Sequence, residues 1–190
     1  MSAPHGSAAR SVLDSLPLRS AEVKAADLWR CVNRWLRHFE NVPEMSPQGS
    51  ALRAAAEDVT TNLLRSAPDP LVWSHGDLHG KQIIAAGGRS PLGLLDLDKV
   101  AQAEAALDLA NMDVRLELHR RRNRMSSGRY LTAHNQVLAV AEELHVNPDR
   151  FRAYTDALWL REALVPTPGR LVMATAVLDE RAKHYQPTEA

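Results

Sequence analysis

Apolar residues recur at helical spacing along most of the chain, on both sides of a short central segment with a different pattern. The first predicted helix begins after Ser20, its expected N-cap, and the second runs from about residue 50 to 66. The segment between them, NVPEMSPQGS, carries two prolines and a glycine and is typical of a linker. After Ala101 the helical pattern returns and predicts four further helices, at roughly 104–122, 127–145, 149–164 and 169–185.

The central segment contains three apolar runs that are too short for helices. They are LVWSH (71–75), QIIAA (82–86) and LGLLDLD (92–98), and turn residues bound each of them. The sequence GGRSP joins the last two and is typical of a hairpin loop. The pattern therefore predicts an α+β fold that is mostly α-helical, with a small β-hairpin island in the middle of the chain.

Composition indicates one globular domain, since 45% of the 190 residues are hydrophobic and 23 basic side chains balance 23 acidic ones. Residues 1–19 lack periodicity and are predicted to be a flexible leader, with residues 20–190 as the folded lobe. Zero formal net charge argues against a general nucleic-acid binder, and no apolar run has the length of a membrane span. The single cysteine, Cys31, cannot form an internal disulfide, so a cytoplasmic location is expected.

Ionisable and amide side chains cluster at the ends of the predicted strands. His75 and Asp77 follow the first strand, Gln82 opens the second, and Asp96 and Asp98 close the third. Because a hairpin brings the end of its second strand near the start of its first, we expect Asp96 and Gln82 to be neighbours, with Asp77 facing the same space. Oxygen ligands of this kind suit Mg²⁺, and a separate carboxylate suits proton transfer from a hydroxyl.

The motifs HGDLHGKQII, GLLDLD and ALDLAN resemble, in this order, the C-terminal lobe of the aminoglycoside phosphotransferase and choline kinase group, relatives of the protein kinases. The resemblance spans about residues 70–112. It implies that Asp77 is the catalytic base and that Asp96 is the main magnesium ligand. Gln82 stands where the group has an asparagine and would be a second ligand, while Asp98 is a further candidate ligand. The resemblance also implies supporting roles around the loop, assigned to His75, His79 and Asp108.

This resemblance implies a kinase that uses Mg²⁺ and ATP, or another nucleoside triphosphate. The γ-phosphoryl would pass to a hydroxyl of a small molecule such as an aminoglycoside or amino-alcohol. The group also has an N-terminal lobe with a phosphate-covering loop and a strand lysine, and nothing before residue 70 matches either, because Lys24 lies on a predicted helix. We therefore interpret the chain as a C-lobe with the N-lobe absent. We expect impaired activity alone and self-association through the surface so exposed.

Two other functions stay open at this point. A kinase-like lobe that binds ligands without catalysing transfer is one alternative. A metal-dependent hydrolase that uses His75, Asp77 and His79 around a zinc ion is the other.

Two charged groups outside the motifs each permit two interpretations. The run HRRRNR (119–124) is interpreted as a solvated helix end, with an anion-binding site as the alternative. A second group of acidic residues on the last helices is interpreted as a solvent face, with a cationic substrate cleft as the alternative; its members are Asp156, Glu162, Asp179 and Glu180.

Overall fold

The helices and strands of the computed structural model follow the predicted order. The structure describes residues 15–39, 46–65, 67–85, 92–165 and 169–184. Within these ranges the helices are α1 (Ala21–Phe39), α2 (Ser46–Arg65), α3 (Ala105–Arg121), α4 (Ser127–Glu143), α5 (Pro148–Ala163) and α6 (Arg170–Lys183). The strands are β1 (Leu71–Ser74), β2 (Ile83–Ala85), β3 (Leu92–Leu94) and β4 (Ala101–Glu104), with short 3₁₀ helices at Gly80–Gln82 and Leu97–Lys99. No helix in this part of the chain has both the length and the apolar character to cross a membrane.

Helix α5 lies at the centre of the helical packing, where it contacts α1, α2, α3 and α6. All residues from 153 to 160 are buried, and Trp159 is completely inaccessible to solvent. The helix begins as the sequence predicts, since the side chain of Asn147 accepts a hydrogen bond from the N–H of Asp149 at 2.8 Å and Pro148 occupies the first turn. The burial of this helix on several sides explains why its apolar residues form no single stripe.

A buried ion pair fixes the start of α3 relative to α5. The guanidinium of Arg150 donates from Nε to Glu104 at 2.7 Å and from a second nitrogen to the other carboxylate oxygen. The hydroxyl of Tyr154 also donates to Glu104, at 3.0 Å, and Arg150 donates to the carbonyl of Leu63 at 2.5 Å. Removing one partner of such a pair is strongly destabilising, since the other charge stays buried. This network joins α2, β4 and α5.

The strands form two antiparallel pairs. Strands β2 and β3 make the predicted hairpin, with Ile83 opposite Leu94. Strand β1 pairs with β4, so that Leu71 lies opposite Glu104. The pattern of the chain does not predict β4, because AQAE has low intrinsic strand propensity and becomes a strand through its pairing with β1. The α+β fold with a central hairpin is confirmed.

Residues 17–19 of the predicted leader pair with β4. Leu18 forms a parallel bridge with Gln102 of β4, and the N–H of Arg19 donates to the carbonyl of Gln102 at 2.8 Å. The N–H of Gln102 donates in turn to the carbonyl of Pro17, also at 2.8 Å. The folded part of the chain therefore begins before residue 20, because these residues complete the hydrogen bonds of an otherwise open strand edge. The rest of the predicted leader, residues 1–14, lies outside the described residues.

Candidate active site

The loop that follows β1 is held in place by one carboxylate, that of Asp108 in the first turn of α3. One of its oxygens accepts hydrogen bonds from the hydroxyl of Ser74 at 3.0 Å and from the N–H of His75 at 2.6 Å. The other oxygen accepts the N–H of Gly76 at 2.9 Å. A negative charge in the first turn is also favoured by the helix dipole. The turn between β1 and Asp77 is thus fixed by three donors to a single side chain.

Two further contacts join this loop to the end of β3. The buried ring of His75 donates from Nε2 to the carbonyl of Leu95 at 2.8 Å, one residue before Asp96. Gly76 has a φ of +79°, and a Cβ atom placed on it would lie 2.3 Å from the carbonyl oxygen of Lys99. Glycine is therefore required both for the backbone conformation and for the close approach of the two segments.

The carboxylate of Asp77 is largely buried and faces two cations. It forms an ion pair with Lys99, and a guanidinium nitrogen of Arg161 lies 3.7 Å from its other oxygen. Burial raises the pKa of Asp77, but the hydrogen bond from Lys99 and the charge of Arg161 outweigh burial and leave this pKa below its usual value. The side chain is therefore ionised at neutral pH and able to accept a hydrogen bond from an incoming hydroxyl.

The hairpin brings Asp96 and Gln82 into direct contact. The amide nitrogen of Gln82 donates to the carboxylate of Asp96 at 2.8 Å, and the N–H of Leu95 donates to the carbonyl of Gln82 at the same distance. Asp96 is exposed and adopts the left-handed conformation, with φ of 59°. Asp98 lies two residues farther on, also exposed, in the 3₁₀ helix Leu97–Lys99. The carboxylate of Asp96 and the amide of Gln82 thus lie side by side, with Asp96 exposed to solvent; we call this pair the mouth of the site.

The structure gives no support to a zinc site. Among the described residues, no group of three or more His, Cys, Asp or Glu side chains is placed to hold a metal ion. The ring of His75 is turned towards the carbonyl of Leu95, and Asp77 is paired with Lys99. His79 is half-buried, and burial followed by the charge of Arg115 lowers its pKa.

Three cations near Asp77 have no signal in the sequence. Lys99 follows the third apolar run directly, while Lys24 and Arg161 come from α1 and α5. Burial, followed by the charges of Arg161 and Arg19, lowers the pKa of Lys24 to about 8, and the charge of Asp77 acts in the opposite direction. These residues come together only in the folded chain, and spacing along the chain does not reveal their proximity.

Three of the four acidic residues singled out on the last helices form ion pairs with arginines. Glu162 accepts a hydrogen bond from Arg170 at 2.5 Å and pairs with Arg115 at 3.0 Å. Glu180 pairs with Arg121 at 2.9 Å. Asp156 forms ion pairs with Arg181 and Arg152, and Asp179 lies exposed on α6. These pairs leave little free negative charge for a cationic ligand.

The fold of the chain is similar to that of two solved small-molecule phosphotransferases. A glucosamine kinase matches 85% of this chain with a TM-score of 0.54 and 25% sequence identity, and the match covers 46% of that kinase. A spectinomycin phosphotransferase in complex with ADP and spectinomycin matches 98% of this chain with a TM-score of 0.50 and 13% identity, and the match covers 57% of that protein. The chain therefore spans about half the length of the phosphotransferases it resembles. No protein-family model and no curated protein matches it.

These similarities define the chain as a protein with a kinase-like fold. The resemblance that the motifs around Asp77, Asp96 and Asp108 indicate is confirmed at this level. The share of each neighbour that the chain covers, 46% and 57%, is consistent with a single lobe such as the predicted C-terminal one.

Proposed function

We propose that this chain is the catalytic lobe of a magnesium-dependent phosphotransferase that moves the γ-phosphoryl group of ATP, or of another nucleoside triphosphate, to a hydroxyl of a small molecule. One observation carries this proposal: the loop that presents Asp77 is fixed by Asp108 and His75 against the segment that carries Asp96. Phosphoryl transfer demands positioning and charge stabilisation above all, and this arrangement supplies both.

In the proposed reaction the acceptor hydroxyl oxygen bonds to the γ-phosphorus while the bond to the β–γ bridging oxygen breaks. Asp77 orients the hydroxyl and takes its proton, since its carboxylate is ionised. Lys99 and Arg161 contact this carboxylate, and in the proposed reaction they would stabilise the negative charge that develops on the phosphoryl oxygens. The nucleoside diphosphate leaves with the electron pair of the broken bond.

The residues at the mouth of the site fit Mg²⁺. Asp96 offers carboxylate oxygens, and Gln82, whose amide nitrogen donates to Asp96, carries an amide oxygen on the same group. The exposure of Asp96 leaves room for water and phosphate oxygens. When bound, the ion would neutralise charge on the nucleotide phosphates. Asp98 is a further candidate ligand. The ADP in the spectinomycin phosphotransferase supports a nucleotide as the phosphoryl donor.

A second candidate function follows from coverage. Because the chain matches only 46% and 57% of its two neighbours, a lobe that binds ligands without transferring phosphate is the alternative.

The balanced composition and the single cysteine support a cytoplasmic location.

Replacing Asp77 with asparagine separates these two candidates. The variant keeps the size of the side chain and removes its ability to accept a proton, so we expect phosphoryl transfer to fall by at least ~100-fold. Transfer is measured as production of ADP in the presence of a panel of hydroxyl acceptors, and calorimetry measures MgATP binding. Retained MgATP binding with lost transfer supports the catalytic role, whereas wild-type turnover in the variant contradicts it. If the wild-type chain binds MgATP but transfers no phosphate, the lobe is a binding module.

A further inference from the structure

A cavity of about 470 Å³ lies directly beside the proposed catalytic loop. One part of its wall is formed by residues 79–81, which follow Asp77 in the chain, and the rest by α3, the turn after it and the start of α6. Apolar side chains such as Met112 and Leu116 line part of the cavity. The same wall carries five cations and, among the described residues, no carboxylate; the cations are Lys81, Arg115, Arg122, Arg124 and Arg170.

The positive charge of this wall is compensated only in part. Glu162, whose side chain is buried, pairs with both Arg115 and Arg170. Within the described residues, Arg122 and Arg124 form no ion pair with any carboxylate. Burial, and then the charges of Arg170 and Arg124, lower the pKa of Arg122. Like charges held this close repel one another, so the cluster is stabilised when an anion enters.

The local backbone explains how two of these arginines reach one wall. Helix α3 ends at Arg121, and Asn123 then adopts the left-handed conformation with φ of 54°. Asparagine tolerates this conformation better than most residues. The N–H of Arg124 donates to the carbonyl of His119 at 2.8 Å, which closes the turn. Part of the basic run is therefore folded back on the end of its helix, so that His119, Arg122 and Arg124 line the cavity while Arg124 stays exposed to solvent.

The histidines of the wall add hydrogen-bonding groups and no charge at neutral pH. Burial, then the charges of Arg124 and Lys81, lower the pKa of His119. Burial and Arg115 do the same for His79, whereas Asp77 opposes them. Both rings are therefore neutral at pH 7 and can donate or accept a hydrogen bond.

The cavity is electrostatically connected to the proposed base. Arg115, a member of the cavity wall, is among the cations that lower the pKa of Asp77. His79 lies two residues after Asp77, which corresponds to at most about 7 Å of extended backbone. A single acceptor molecule about this long could therefore place a charged group in the cavity and a hydroxyl at Asp77.

We propose that the acceptor substrate carries a carboxylate or a phosphate group, and that this group binds in the cavity against Arg122 and Arg124. The inference rests on the proposed phosphotransferase function and specifies the acceptor class of that same site. It excludes aminoglycosides and amino-alcohols as the preferred acceptors, because the wall keeps a net positive charge after Glu162 has compensated Arg115 and Arg170, and this charge repels an ammonium group. The pairing of Glu162 and Glu180 with arginines removes the negative charge that such acceptors need.

Four probes on one scaffold test this inference. Glucose is neutral, glucosamine is cationic, and glucuronate and glucose 6-phosphate carry a carboxylate and a phosphate. Each is titrated calorimetrically, at constant ionic strength, into the wild-type chain, into the double variant Arg122→Gln/Arg124→Gln and into a control. The control, Arg53→Gln/Arg65→Gln, removes the same two charges from exposed positions of α2.

We expect at least one anionic probe to bind the wild-type chain roughly tenfold more tightly than glucose or glucosamine, because two charge-assisted hydrogen bonds are made. The double variant should lose this preference and the control should keep it. A preference for the carboxylate or for the phosphate identifies the group. The inference is overturned if glucosamine binds as tightly as the anions, if none of the probes binds at millimolar concentration, or if the double variant binds the anions normally.

Titration with MgATP separates this inference from the proposed function. If wild type and double variant bind MgATP equally and no anionic probe is preferred, the acceptor assignment fails while the phosphotransferase proposal stands. If the double variant loses MgATP binding, the cavity holds nucleotide phosphates and the inference is wrong. If the anions bind but MgATP does not, the phosphotransferase proposal fails and the acceptor assignment fails with it.

Discussion

Replacing Asp108 with asparagine should lower the free energy of unfolding by about 3–5 kcal/mol, because three hydrogen bonds converge on this carboxylate. Its two oxygens accept donors from Ser74, His75 and Gly76, at 3.0, 2.6 and 2.9 Å. An asparagine side chain has one oxygen and one amino group. If the oxygen stays with the first two donors, the amino group faces the N–H of Gly76, and two donors oppose each other.

The magnitude follows from this geometry. Losing the bond to Gly76 costs about 1.5–3 kcal/mol, since the acceptor is charged and the site is partly buried. The two remaining bonds, to Ser74 and His75, lose their charge assistance and weaken by about 1 kcal/mol together. The helix dipole adds about 0.3–1 kcal/mol for the lost charge in the first turn. We expect phosphoryl transfer to fall with stability, because the loop that carries Asp77 is no longer fixed.

Urea denaturation followed by circular dichroism measures this change, and Asp149→Asn is the matched control. Asp149 also lies in the first turn of a helix, α5, so its replacement removes the same interaction with the dipole. We expect the control to lose less than about 1 kcal/mol. Equal midpoints and slopes for the two variants would refute the role assigned to Asp108.

Two further changes test the surroundings of the site. Burial holds the pKa of Lys24 at about 8, below its value in the unfolded chain, so the unfolded state binds more protons between about pH 8 and 10.5 and stability rises with pH there. Lys24→Met should therefore raise the free energy of unfolding at pH 7 by up to about 3 kcal/mol, and this gain over the wild type should shrink between about pH 8 and 10.5. Urea titrations in which the difference between variant and wild type does not change with pH would contradict the lowered pKa of Lys24. Trp73 on β1 is 48% exposed beside Val72, and we propose that this surface mediates self-association. Sedimentation velocity should show weaker association for Trp73→Ser, whereas the control Leu131→Ser, at an exposed position of α4, should associate as the wild type does. A wild-type chain that stays monomeric at all concentrations would exclude the proposal.

The parts of the site that lie on one hairpin could be predicted from the sequence, because a hairpin brings the end of its second strand next to the start of its first. Gln82 and Asp96 are neighbours for this reason, although 14 residues separate them. Strand β4 could not be predicted, since AQAE has no strand preference and depends on its pairing with β1. Lys24 and Arg161 reach the surroundings of Asp77 only through the packing of α1 and α5, which a hydrophobic pattern does not specify.

The charge of the cavity is also a property of the folded chain. Basic residues are common at helix C-termini, so the run HRRRNR does not by itself indicate a binding site. Its residues line the same cavity as residues 79–81 because of the turn at Asn123. The acidic residues of α5 and α6 leave a cationic substrate cleft open as an alternative to a solvent face in the sequence, because their arginine partners on α3 are distant in the chain. Sequence spacing therefore supports the proposed reaction class, whereas the sign of the charge on the acceptor depends on tertiary structure.

The most direct test of the central proposal is the thermal shift of the chain with ATP and Mg²⁺, measured alongside Asp96→Ala and Asp179→Ala. At about 100 times its dissociation constant, a ligand stabilises the folded state by roughly 2.7 kcal/mol, which is readily measured as a shift in Tm. We expect a magnesium-dependent shift in the wild type that is lost in Asp96→Ala and kept in Asp179→Ala, an exposed position on α6. A shift of equal size in Asp96→Ala, or no shift in the wild type, would contradict the proposal that this lobe holds a magnesium nucleotide at Asp96.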